Sequence, residues 1–179
     1  SHLLSAIEYK TPAIYHARRV DLVRLDSAQQ KFLREAGVDE LTALRQFSLA
    51  PLSTRRDIAM LGLIHRTVLR KGPPRFREHF KPAGPARPGE VRRHRRRLVD
   101  PLAEFTGRIV TRSVLGLVAV YNLLPDDIAK INTVSAFQLA LQKLVLDSAN
   151  HGVGEWQTLL CPRHPLQARP LLAAPRLER

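Results

Sequence analysis

The sequence predicts an all-α protein, an irregular helical bundle in two lobes joined by a basic, proline-rich connector and followed by an irregular C-terminal tail. Apolar residues recur at helical spacing in several long stretches, and helix-breaking motifs such as Gly72–Pro74 separate these stretches. The 179 residues are 44% hydrophobic and 25% charged, which is the composition of a globular chain with a sizeable core.

Residues 1–80 are predicted to form the N-terminal lobe. Helical spacing predicts a helix over residues 20–36, which begins as early as Pro12 in an alternative interpretation. Gly37 is a typical helix end, and a short second helix is predicted to begin at Asp39. The inner side of this second helix is predicted to contain Leu41, Leu44 and Phe47.

The third helix of this lobe is predicted to begin at residues 50–52 and to end at the breaker Gly72–Pro74. Phe76 and Phe80 then add one more apolar turn. The inner face of the third helix is predicted to consist of Leu52, Ala59, Leu61, Leu63, Ile64 and Val68.

Residues 81–97 are predicted to form the connector. Residues 81–90 contain three prolines and two glycines, which indicates an exposed linker, and residues 91–97, VRRHRRR, contain five arginines. Residues 71–112 hold 12 Lys/Arg against 4 Asp/Glu, so +8 of the chain's net charge of +13 lies in less than a quarter of its length. This asymmetry favours a polyanionic partner. The first candidate is RNA or DNA, and the second is an anionic membrane surface.

Residues 98–150 are predicted to form the C-terminal lobe. One helical stripe consists of Ile109, Val110, Val114, Leu117, Val118 and Tyr121, and its β-branched content leaves a strand as an alternative. After residues 124–127 a last helix is predicted to run to about Ala149, with Ile128, Ile131, Val134, Phe137, Leu141, Leu144 and Val145 on its apolar face. Four prolines after Gly152 predict an irregular tail over residues 151–179.

The arginine block is the feature with a clear binding chemistry. Its candidate phosphate contacts are Arg87, Arg92, Arg93, Arg95, Arg96 and Arg97, since a guanidinium pairs with phosphate through two parallel hydrogen bonds. Aromatic residues are scarce nearby, so we expect contacts to the phosphate backbone rather than recognition of bases. A nuclear-import signal and a solvated surface loop remain alternative interpretations.

Catalytic motifs are absent from the sequence. There is no GxSxG, HExxH, Walker loop or dinucleotide fingerprint, so we predict no catalytic residue and no cofactor. Asp126 and Asp127 are interpreted as acidic residues of a helix N-terminus rather than a magnesium pair. Cys161 and His164 have the spacing of half a zinc site, but the chain has one cysteine, and we predict no metal site. His65 is interpreted as a packed structural residue.

The sequence also predicts where the chain resides. The longest apolar runs, such as residues 114–120, are far shorter than the roughly 20 residues that span a bilayer, so no membrane span is predicted. The opening SHLLSAIEYK lacks the features of a signal peptide, and one cysteine suits a reducing compartment. We therefore expect a nuclear or cytoplasmic location.

Four segments of the chain resemble one known family. They are IEYKTPAIYHA at 7–17, the pattern LxxLDxxQxxFLxxxG that ends at Gly37, TALRQFSLAPLSTRRDIAMLGLIHRTVLRKGPPRF at 42–76 and RSVLGLVAVYNLLP at 112–125. Together they resemble the region C-terminal to the polymerase palm in reverse transcriptases of LINE-type (non-LTR) retrotransposons, over residues 3–160. The positions that fit the family's motifs are Gln29, Phe32, Leu33, Gly37, Pro51, Leu52, Arg55 and Arg56.

This resemblance implies a helical thumb and post-thumb region that grips template and primer, with Arg55 and Arg56 contacting phosphates. It also implies a parent RNA-directed DNA polymerase whose catalytic palm and fingers lie upstream of Ser1 and would be a second partner. The chain alone is then expected to be non-catalytic, and the family's Cys/His knuckle is missing. Two alternatives stay open: a helical protein-interaction module with a nuclear-import-like basic cluster, and a transposon relic without function.

Overall fold

The computed structural model describes residues 11–85, 93–103 and 113–162. The α-helices in these ranges are α1 (Thr11–Ile14), α2 (Arg19–Glu35), α3 (Glu40–Phe47), α4 (Leu52–Val68), α5 (Phe76–His79), α6 (Leu117–Asn122), α7 (Asp126–Ala129) and α8 (Val134–Asn150). Two 3₁₀ turns cover Val114–Gly116 and Trp156–Thr158. Extended pairing within the described ranges is limited to one isolated antiparallel bridge, Pro82 with Leu98. The predicted all-α class is confirmed.

Helix α4 is the centre of the fold. It contacts α1, α2, α5, α6, α8 and the turn Trp156–Thr158, and its contact with α8 is the most extensive. Leu61 and Ile64 are 0% exposed. The predicted single inner face is wrong in detail, because Ala59 is only partly buried whereas Ile58 and Met60 are buried. A helix that is covered on several sides has no simple amphipathic stripe.

The helix predicted over residues 20–36 is confirmed as α2, and the alternative start at Pro12 is part of a separate short helix, α1. Between α1 and α2 the chain turns, and Arg18 is extended (φ −60°, ψ 148°) where α2 begins. The buried Tyr15 in this turn donates a hydrogen bond of 2.6 Å from its hydroxyl to Asp57 of α4. A continuous helix from Pro12 is therefore wrong, because Tyr15 holds the chain against α4. Gly37 follows α2 with φ +67° and confirms the predicted helix end.

Helix α3 has the predicted start and an unexpected exposed end. The carboxylate of Asp39 accepts a hydrogen bond of 2.9 Å from the backbone N–H of Thr42, which is a typical N-cap. Leu44 is buried as predicted, but Phe47 is 63% exposed, so its predicted inner position is wrong. Phe47 is the last residue of α3, and Ser48 ends the helix in the left-handed conformation (φ 54°).

The last predicted helix is divided in two. Asp126 and Asp127 lie in the first turn of the short helix α7, as predicted. The chain then leaves the helix over residues 130–133, and Thr133 caps the start of α8. Arg96 donates hydrogen bonds to Ala129, Ile131 and Asn132 at this interruption. These bonds replace backbone hydrogen bonds that a continuous helix would make internally. Helical periodicity alone cannot show such a break, since it depends on a distant side chain.

The residues of both predicted lobes share one hydrophobic core. It contains side chains of α4, α6 and α8 together with Leu98. The described part of the predicted irregular tail, residues 151–162, has little secondary structure but adds Trp156, Leu159 and Leu160 to this core. Of the predicted stripe over residues 109–121, Ile109 and Val110 lie outside the described residues, and the remainder forms a 3₁₀ turn and α6 rather than a strand.

Candidate nucleic-acid interface

The arginine-rich segment lies against the core. His94 and Leu98 are buried, whereas Arg95 between them is exposed. Backbone hydrogen bonds on both sides of the bridge between Pro82 and Leu98 join the two ends of the connector. The segment is thus held at His94 and Leu98, and Arg93, Arg96 and Arg97 are partly buried. This contradicts the interpretation of residues 93–97 as a simple solvated loop.

His94 anchors this segment to α6. Its Nε2–H donates a hydrogen bond of 2.9 Å to the carbonyl oxygen of Tyr121, and its ring meets the Tyr121 ring edge-on with 5.5 Å between centroids. A carbonyl group only accepts, so Nε2 carries a proton. Burial lowers the pKa of His94 below its usual value, which keeps the imidazole neutral at pH 7.

Arg96 is held by the backbone at the end of α7. Its Nη1 donates to the carbonyl oxygens of Ala129 at 3.1 Å and Ile131 at 2.8 Å. Its Nη2 donates to Oδ1 of Asn132 at 2.6 Å. A cation beside the carbonyl end of a helix is also favoured by the helix dipole. Arg96 therefore stabilises the fold. The sequence predicted only a phosphate contact for this residue.

Five arginines meet at one cleft, which has a volume of about 490 Å³. It lies between the end of α4, helix α5 and residues 95–98, and we call it the arginine cleft. The arginines that line it are Arg70, Arg77, Arg95, Arg96 and Arg97. The described residues that line the cleft include no aspartate or glutamate. An anion is therefore the complementary ligand.

Arg70 lies in the turn after α4, and Arg77 lies on α5, which follows this turn. Arg70 has a left-handed backbone (φ 60°), which is uncommon for a residue other than glycine and reverses the chain here. Nη2 of Arg77 donates a hydrogen bond of 2.8 Å to the carbonyl oxygen of Arg70. The sequence prediction missed both residues because they are distant from residues 91–97 along the chain. The available signal was the excess of positive charge that begins at residue 71.

Arg95 connects the arginine cleft with two neighbouring hollows. One hollow, of about 620 Å³, is also lined by Arg93 and His94, and the other, of about 340 Å³, extends to Lys130. Asp126 lines both hollows, so they are less positive than the arginine cleft. The Arg95 side chain makes no hydrogen bond or ion pair in the described part of the chain. Its exposed guanidinium can therefore meet a ligand without breaking a contact of the fold.

The two arginines near the start of α4 do not join the cleft. Arg56 is 3% exposed and forms a bidentate ion pair with Asp26 of α2. The Nη1–Oδ1 distance is 2.7 Å, and the Nη2–Oδ2 distance is 3.0 Å. A phosphate cannot reach this guanidinium, so the predicted phosphate contact of Arg56 is corrected to a link between α4 and α2. Arg55 is half-buried, and burial lowers its pKa. Arg87 and Arg92 lie outside the described residues.

A buried histidine connects the segment around Arg96 to the core. His65 of α4 is 0% exposed, and its ring stacks on Phe137 of α8 with centroids 3.9 Å apart and planes 4° apart. Its Nε2–H donates to the Ile131 carbonyl at 2.7 Å, the same oxygen that accepts from Arg96. Its Nδ1 accepts a hydrogen bond of 2.9 Å from the Tyr121 hydroxyl. The interpretation of His65 as a structural residue is confirmed.

Acidification from pH 6.5 to pH 4 is expected to destabilise the fold through His65. Burial lowers the pKa of His65 from 6.5 to about 4, so the unfolded chain binds a proton in this range that the folded chain excludes. The contribution to the free energy of unfolding is complete above pH 6.5 and is smaller by about 3 kcal/mol at pH 4. Urea unfolding at several pH values measures it. The His65→Gln variant is the control, and an equal pH dependence in both proteins would contradict the assignment.

Neither a family model nor a curated protein nor a solved structure matches the chain. Among the residues that the structure describes, no group of three His, Cys, Asp or Glu side chains is placed to hold a metal ion, and His164 lies outside them. No helix in the described ranges combines the length and the apolar character needed to cross a membrane. The arginine cleft is therefore the feature of the described residues that indicates a function.

Proposed function

We propose that this chain binds nucleic acid by placing backbone phosphates in the arginine cleft. The observation that carries the proposal is the meeting of five arginines in one cleft whose described lining has no carboxylate. Arginine keeps its charge at physiological pH and pairs with phosphate through a planar fork of N–H donors. A strand of phosphates is a polyanion of the matching sign.

Two sequence features support the same proposal. The net charge of +8 over residues 71–112, which includes four of the arginines that line the cleft, would attract a polyanion from a distance. The resemblance to the thumb and post-thumb region of LINE-type reverse transcriptases implies a part that grips template and primer. Phosphate contacts carry no base identity, so this binding is expected to be independent of nucleotide sequence.

Anisotropy of a fluorescent strand, measured over a salt series, tests the proposal. The logarithm of the association constant should fall linearly with the logarithm of salt concentration, with a slope between about −2 and −5 for three to five engaged arginines. Arg95→Gln should weaken binding roughly tenfold, since a hydrogen bond to a charged group contributes about 1.5–3 kcal/mol.

Arg34→Gln is the matched control for this experiment. Arg34 is an exposed arginine of α2 that does not line the arginine cleft, and its substitution removes the same charge. Equal losses of affinity in the two variants would contradict the cleft as the binding site. No binding of either RNA or DNA at moderate salt would contradict the function itself.

A second candidate function, a helical protein-interaction module, is favoured by exposed apolar side chains. The exposed large apolar side chains on the described helices are Val20, Val23, Phe32, Phe47 and Leu139. They lie on α2, α3 and α8. In this alternative the arginines only direct the protein to the nucleus. Wild-type protein that fails to bind nucleic acid but associates with a palm and fingers domain would favour it.

A further inference from the structure

The arginine cleft is lined by apolar residues as well as by arginines. Val68, Phe80, Pro82 and Leu98 share its lining. Phe80 and Leu98 are buried residues of the hydrophobic core, so packing fixes their positions. Arg70, Arg77 and Arg95 are exposed. The cleft therefore has a rigid apolar floor and a charged rim.

Phosphate alone makes no use of an apolar floor. The bases of a duplex are paired and stacked, so duplex phosphates on the rim would leave the floor in contact with water. The volume of about 490 Å³ lies within the roughly 300–1,000 Å³ of pockets that enclose a small organic ligand. An unpaired nucleotide combines an anionic phosphate with a flat base whose faces are apolar, so its two parts match the rim and the floor.

We propose that the arginine cleft holds one unpaired nucleotide of a single strand, with its base on the apolar floor and its flanking phosphates on the arginine rim. This inference rests on the proposed function and narrows its ligand to single-stranded nucleic acid. Apolar side chains and guanidinium planes are the surfaces on which proteins stack unpaired bases. Few aromatic residues lie near residues 91–97 in the sequence, which predicted backbone contacts alone. The structure places Phe80, one of those few, beside Val68 in the lining of the cleft.

Three labelled ligands of equal length test the inference on the wild-type protein. They are a single-stranded adenine oligonucleotide of twelve nucleotides (the adenine strand), an abasic strand with the same phosphates and no bases, and a hairpin duplex. The adenine strand should bind roughly tenfold more tightly than the abasic strand, since one stacked base contributes about that factor. Equal binding of the adenine and abasic strands, with a steep salt dependence, would overturn the inference and leave the proposed function intact. Binding of none of them would overturn both.

A substitution that fills the cleft locates the effect. Val68 is half-buried at the end of α4, and Val68→Trp should occupy the floor without removing an arginine. This variant should lose the preference for the adenine strand and retain its affinity for the abasic strand. Leu139→Trp, at a position of α8 that is 66% exposed and does not line the cleft, is the control and should retain the preference. A preference that survives in Val68→Trp, with its helical circular-dichroism signal intact, would overturn the assignment to this cleft.

Discussion

Replacing Arg70, Arg77 and Arg95 together with glutamine is expected to lower the affinity for single-stranded nucleic acid by roughly 1,000-fold, since each lost charged hydrogen bond contributes about 1.5–3 kcal/mol. The slope of log K against log salt should also become shallower by about 2, because three fewer phosphates are neutralised. The three side chains are exposed, so the thermal unfolding temperature should stay close to that of the wild type. Anisotropy over a salt series and thermal unfolding measure the two quantities.

The control for this triple variant changes three exposed arginines of α2, namely Arg19, Arg24 and Arg34, to glutamine. It removes the same charge from a surface that does not line the arginine cleft. Its long-range attraction for a polyanion should weaken slightly, and its direct contacts should not change. If both triple variants lose affinity to the same extent, net charge and not the cleft determines binding.

Arg96 is left out of the triple variant because it has a structural role. Its hydrogen bonds to Ala129, Ile131 and Asn132 satisfy the chain where α7 and α8 are interrupted. A substitution there would lower binding and stability together, and the two effects could not be separated. Changing every arginine of residues 91–97 at once, which the sequence alone suggests, would have this fault.

The helix boundaries that the sequence predicted correctly are those with local causes. Gly37 with its positive φ and the cap at Asp39 act through their own local geometry. Helix α4 ends at Val68, before the predicted breaker Gly72–Pro74, in the turn that contains left-handed Arg70. The breaks that it missed have distant causes. Arg96 holds the interruption between α7 and α8. Tyr15, which bonds to Asp57, separates α1 from α2 and so rules out the alternative helix start at Pro12. Periodicity along one segment contains no information about such partners.

The candidate site could be predicted only in part for the same reason. The run of arginines in residues 91–97 is visible in the sequence, and the structure places Arg95, Arg96 and Arg97 in the lining of one cleft. The sequence could not show that the turn after α4 brings Arg70 and Arg77 to that cleft. It also could not distinguish an exposed arginine from one that is paired inside the fold. Arg56 is the clearest example, since its partner Asp26 is on another helix.

Asp26→Ala is expected to lower the free energy of unfolding by about 3 kcal/mol, because it leaves the guanidinium of Arg56 buried without its counter-ion. For a chain of this size the unfolding temperature should fall by roughly 6–12 °C. Asp21→Ala is the control, since the ion pair of Asp21 with Arg18 is largely exposed and contributes at most about 1 kcal/mol. Thermal and urea unfolding of the two variants measure the difference.

The double variant Asp26→Leu with Arg56→Met separates the two possible reasons for this loss. If the cost of Asp26→Ala comes from the unpaired buried charge, removing both charges should restore most of the stability, since apolar residues of similar volume often replace a buried ion pair at no cost. If the ion pair instead fixes the position of α2 on α4, the double variant should remain as unstable as Asp26→Ala. We expect restoration, because Gln29 of α2 also bonds to the chain just before α4 through its hydrogen bond of 3.1 Å to the Ala50 carbonyl. In that case nucleic-acid affinity should be unchanged, since Arg56 does not line the arginine cleft.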